Sequence, residues 1–125
     1  MFDQAQFNLL SLQQKSELFL AAAEFAYQQL DDEPKRIYAK QAIDMMVRWV
    51  KYQDVSGDNL YDFLENNNDT GLIFLGCELT EGSQKLWFWN MIVAALMLVI
   101  RESYRLSQEV YLPQTIESLD VELNY

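Results

Sequence analysis

Residues 86–100 form fifteen consecutive positions with no charge and a single polar side chain, Asn90. On a helix of 3.6 residues per turn such a run is apolar nearly all round, and it needs neighbours on every side. It belongs at the centre of a bundle, with Asn90 either bonded within the core or marking one wetter flank. At fifteen residues it falls short of the roughly 18 to 20 that cross a bilayer. The pattern continues through Leu86, Trp89, Val93, Leu96, Ile100 and Tyr104 to about Gln108, after a capped entry over residues 80–84.

Around this core the sequence predicts further helices. Over 12–30, Leu12, Phe19, Ala23, Ala26 and Leu30 recur at helical spacing, and Leu18, Ala22 and Phe25 widen the stripe to a second face. Ser11 with Gln14 forms a capping box, and Ala21 to Ala23 would admit a close helix crossing. The acids of Asp31-Asp32-Glu33-Pro34 suit the positive end of a second helix, which runs to about Gln53. Ile37, Ile43, Met46, Val47 and Val50 make one apolar face of it, and Tyr38, Met45, Trp49 and Tyr52 an adjacent one that reads as core. A third helix is expected over 57–66, ended by the Asn66-to-Gly71 turn. Residues 72–77 are open between helix, turn and strand, although a strand there has no second alternating run to pair with. Pro113 can open a terminal helix to about Leu119. The expected fold is all-α, a compact bundle of about three long helices plus shorter ones. With 125 residues, half of them apolar, the whole chain 1–125 suits a single domain.

Composition then removes whole classes of chemistry. There is no histidine, and Cys77 is the only cysteine, so Ser-His-Asp and Cys-His catalysis and His or Cys metal clusters are excluded. Four glycines build no phosphate loop. A calcium loop starting at Asp54 would have Ser56, Asp58 and Glu65 at its third, fifth and twelfth positions, but Asn59 stands where the turn glycine is required. No catalytic residue, cofactor or metal is expected. Cys77 reads as a small buried hydrophobe, and a lone thiol with no basic, apolar leader at the start suits the cytoplasm.

The net charge of −10 repels phosphate backbones and anionic lipid, which argues against direct binding of nucleic acid or membrane. That charge is concentrated: residues 52–84 carry seven acids and no base, whereas residues 1–51 carry seven acids and six bases. Asp58, Asp62 and Glu65 stand four and then three apart, on one face of a helix, with Asp54 a turn before and Asp69 a turn after if the geometry continues. Like charges so spaced weaken a helix slightly, so the stripe reads either as a solvated face or as a docking surface for a basic partner. Tyr61 and Phe63 are placed to add aromatic anchoring.

The order of features carries a resemblance. Trp49 late in a helix precedes Val55-Ser56-Gly57-Asp58-Asn59-Leu60-Tyr61-Asp62-Phe63-Leu64, the Asn/Asp-rich turn and Gly71-Leu72. Trp89 then opens a long helix reaching Tyr104, followed by Tyr111-Leu112-Pro113-Gln114-Thr115-Ile116-Glu117 and the acidic tail through Glu122. Over about residues 35–123 this resembles an all-helical immunity-protein family of bacterial polymorphic toxin and contact-dependent inhibition systems. The resemblance implies a small cytoplasmic protein that binds and neutralises a cognate toxin domain, often a nuclease. The charge map adds that the toxin is basic and is met by Asp54, Asp58, Tyr61, Asp62, Glu65 and Asp69, by a monomer or a weak homodimer. The alternative is a non-catalytic helical adaptor that associates through the Trp49 and Trp87 faces.

Overall fold

The computed structural model describes residues 10–31, 33–107 and 112–123, and the side chains of these apart from 12, 13 and 120–123. Asp32, Gln108 and Tyr111, and the side chains of Leu12, Asp120 and Glu122, which entered the sequence reading, lie outside the described residues. Among the described residues there are six helices and no strand: α1 (Leu12–Gln28), α2 (Arg36–Tyr52), α3 (Gly57–Leu64), α4 (Leu72–Gly76), α5 (Gln84–Leu106) and α6 (Gln114–Leu123). The fold is all-α.

Serines start three of the helices by bonding free backbone donors. Ser11 and Gln14 form both halves of the capping box of α1. Ser56 Oγ accepts from Asn59 N–H at the start of α3, and Ser83 Oγ accepts from Leu86 N–H at the start of α5. Before α2 there is no side-chain cap of this kind, but Glu33 accepts from Lys35 N–H at 3.3 Å. The same carboxylate lies 3.6 Å from Lys85, while Lys35 reaches Glu78 at 3.2 Å, which ties the start of α2 to the start of α5 and to the turn before it.

Helix α5 packs against each of the other five, most extensively against α1 and then α3. Trp89, Ile92, Leu96, Val99 and Ile100 are fully buried along it, and Asn90 is exposed on its wetter flank. At 23 residues α5 is long and apolar enough to pass for a membrane span, but half of its most apolar window is buried inside the bundle. Ala23 and Ala26 of α1 are fully buried, so the close crossing lies there, a few residues beyond the exposed Ala21.

Residues 72–76 resolve into a single short helix because the core holds it. Trp89 Nε1 donates to the Leu72 carbonyl at 2.8 Å, and the indole lies so close to Gly76 that a Cβ there would meet Cδ1 at 2.8 Å.

Four expectations need correction. Leu18 and Phe25 are not buried as a second face of α1; they are exposed, since α5 and α2 cover α1 along the Phe19, Ala23 and Ala26 side. Ile37 and Tyr52 leave the core as well, because they share the outer side of α2 with the exposed Lys40, Gln41, Asp44 and Arg48. Cys77 is exposed: it follows the last residue of α4, and its thiol turns back to the Ile73 carbonyl at 3.4 Å. Trp49 is 2% exposed and forms core, so it offers no association face.

Candidate partner-binding surface

Helix α3 divides its residues cleanly. Gly57, Leu60 and Leu64 are buried, Asp58 and Asp62 are exposed, and Tyr61 is half-buried. The acidic residues thus face outward because the leucines and the glycine are drawn inward. At Gly57 the ring of Tyr104 lies against the backbone, where a Cβ would meet its Cδ1 and Cε1 at 2.7 Å. That approach lets the Tyr104 hydroxyl donate to Asp58 Oδ1 at 2.6 Å, bonding α5 to the first turn of α3. The carboxylate of Asp58 also suits the positive end of the helix.

The helix stops at Leu64, two residues earlier than predicted, and Glu65 has extended backbone at φ −152° and ψ 124°. Asn66 makes the break: its Oδ1 accepts from Asn68 and Thr70 N–H, and its Nδ2 donates to the Asp62 carbonyl. Asp69 takes the left-handed conformation at φ 59°. The acidic stripe is therefore no continuous helical ridge. Asp58 and Asp62 share a helix face, whereas Asp54, Glu65 and Asp69 are set by the segments around it.

Several of these groups have internal partners. Arg48 binds Asp54 through Nε at 3.1 Å to both carboxylate oxygens and through Nη2 at 2.9 Å to Oδ2. This guanidinium, with its hydrogen bonds foremost, holds the Asp54 carboxyl below the usual carboxylate range. Tyr61 donates its hydroxyl to Glu65, and burial followed by that bond raises the phenol pKa, against an opposing hydrogen bond from Thr115 at the start of α6. Asp62 and Asp69 are exposed, and among the described residues no side chain bonds their carboxylates. Asp54 and Asp58 flank one cleft of about 340 Å³ between α2, α3 and α5, lined also by Trp49, Ser56, Tyr104 and Ser107. Phe63 is half-buried against the core.

Sequence reasoning missed the partners that tame this surface. The Arg48 to Asp54 pair crosses the end of a helix, and Tyr104 meets Asp58 across 46 residues of chain, so neither falls on a helical spacing. Elsewhere a ring cluster, Phe25 with Phe88 and Phe88 with Trp87, joins the second apolar stripe of α1 to the Trp87 face, a link between distant parts of the chain that helical spacing does not show. Among the described residues no group of three or more His, Cys, Asp or Glu could hold a metal ion.

A family model described as immunity protein Imm6 matches residues 14–124. The chain belongs to the Imm6 immunity protein family. The match begins within α1, so the first helix, which carried none of the sequence resemblance, is part of the Imm6 fold. No curated protein and no solved structure matches. As a family of immunity proteins of bacterial toxin systems, Imm6 gives this chain the role of protecting against a toxin.

Proposed function

We propose that this immunity protein neutralises its toxin by meeting a basic toxin domain, of nuclease type, with the acidic surface centred on α3. It acts in the cytoplasm as a stoichiometric, non-catalytic inhibitor and requires no metal or cofactor. The observation that carries this reading is the outward display of Asp58, Asp62, Glu65 and Asp69 within a 33-residue stretch, 52–84, that contains seven acids and no base. Such a patch raises the encounter rate with a cationic protein, while Tyr61 and the cleft beside Asp58 supply contact once the two have met. Asp62 and Asp69 contribute most to steering, since among the described residues no side chain bonds their carboxylates, whereas Arg48 neutralises Asp54.

The test is charge reversal at Asp62 and Glu65, with Asp58→Asn as a milder third change that spares the Tyr104 contact. Binding to a catalytically silenced cognate toxin is followed by stopped flow at low and high salt. Association is expected to slow at least about tenfold at low salt, with the difference shrinking as salt screens the field. Unchanged rates and affinity in a folded variant would overturn the assignment of this surface.

A further inference from the structure

We propose that the outer face shared by α1 and the first half of α5 is a dimer interface that receives a second copy of this chain. Leu18, Phe25 and Trp87 are 39%, 53% and 60% exposed. Phe25 meets Phe88 edge-on at 6.1 Å between ring centroids, and Phe88 meets Trp87 at 5.1 Å. The three rings therefore form one continuous patch, unlike the single exposed apolar residues that any surface carries. Leu18 lies seven residues before Phe25 on the same side of α1, with the exposed Ala21 between them. On α5, Trp87, Met91 and Ala94 follow at spacings of four and three, Met91 half-buried and Ala94 exposed.

The layout is self-complementary. Phe25 near the end of α1 touches Phe88 near the start of α5, so the two helices run antiparallel. Bulky rings occupy one end of the face, and Leu18, Ala21 and Ala94 extend towards the other. A two-fold axis through the middle sets the rings of each copy over the small residues of its partner, as an isologous interface requires.

Charge selects the occupant. Residues 12–28 and 84–100 carry Lys15 and Lys85 against Glu17 and Glu24, a neutral balance within a chain of net charge −10. Lys85 is shared with Glu33, and most of the excess negative charge lies elsewhere, so two such faces meet with little like-charge repulsion, while a cationic toxin finds only a weak field to follow there. The area sets the strength. Phe25 and Trp87 together expose on the order of 250 Å², which leaves the face below the roughly 800 Å² per partner of a standard interface. The dimer is weak, with a dissociation constant in the micromolar range or above.

Sedimentation velocity of the full chain, from low micromolar to millimolar concentration and at low and high salt, tests this without any toxin. The mass is expected to move from monomer to dimer with concentration, and the midpoint is expected to resist salt. Phe25→Glu and Trp87→Glu should each raise the dissociation constant at least about tenfold, with far-UV circular dichroism unchanged because both residues are exposed. Trp49 and Trp89 are buried, so acrylamide quenching reports mainly on Trp87 and should fall as the dimer forms. A monomer mass across the whole range, a dimer that dissolves in salt, or variants that leave it intact would each overturn the proposal. So would a monomer whose Trp87→Glu variant loses toxin binding, since the face would then belong to the toxin.

Discussion

Alanine at position 76 would place a Cβ 2.8 Å from Trp89 Cδ1 and 2.9 Å from Nε1, well inside van der Waals contact. The indole has nowhere to move: Trp89 is fully buried, and its Nε1 donates to the Leu72 carbonyl. Overpacking of this kind costs about 1–3 kcal/mol, and the helix preference of alanine over glycine returns at most about 1 kcal/mol, leaving a net loss of about 1–2 kcal/mol for Gly76→Ala. Trp89→Phe forfeits one buried hydrogen bond, about 1 kcal/mol, and opens a partly relaxed void worth about 2 kcal/mol. Independent changes would sum to about 4–5 kcal/mol. In the double variant, however, phenylalanine has no atom where Nε1 stood, and the alanine methyl enters the vacated space. The total is then expected near 3 kcal/mol, a coupling of at least about 1 kcal/mol between the two sites. Urea unfolding of all four proteins, followed by far-UV circular dichroism because a tryptophan is being changed, measures the cycle. Additivity within about 0.5 kcal/mol would refute the close packing of α4 on α5 as its cause.

Two further outcomes follow from local contacts. Because Arg48 depresses the folded-state pKa of Asp54, the pair stabilises the native protein above the ordinary carboxylate value of about 4 and its contribution is lost as pH falls through the depressed value. Arg48→Gln should therefore melt below the parent at neutral pH and converge on it in acid by scanning calorimetry; a gap that persists in acid contradicts the ion pair. Ser83→Ala removes the acceptor for Leu86 N–H at the start of α5 and should cost about 1 kcal/mol, or about 3–5 °C in melting temperature. An unchanged melting temperature would show that this cap contributes nothing.

The helices were legible wherever apolar spacing, a capping serine or a proline marked them, because these signals act within a few residues of one another. The 15-residue apolar run marks α5 as the central helix, and the other five helices pack on it. What spacing cannot specify is which flank a neighbour covers. Leu18 and Phe25 look as buriable as Phe19 and Ala23, yet α5 lies against only one side of α1. Ile37 and Tyr52 went the same way on α2. The candidate surface was partly readable, since charge imbalance is a matter of counting, but its internal pairings were not. Asp58 is held by a tyrosine far along the chain, and Glu65 leaves the helix because an asparagine side chain redirects the backbone. Gly57 and Gly76 gave no hint that aromatic rings press against them, since the close approach exists only once α5 is in place.

The partnership of α1 with α5 joins the beginning of the chain to a stretch that starts only at residue 84. A nascent chain emerging from the ribosome exposes Phe19, Ala23 and Ala26 for most of its synthesis before their counterpart exists, and non-local pairing of this kind slows folding. At about 5–20 residues per second, synthesis from the end of α1 to the end of α5 takes several seconds. A chain that stops before α5 leaves that side of α1 without the helix that covers it.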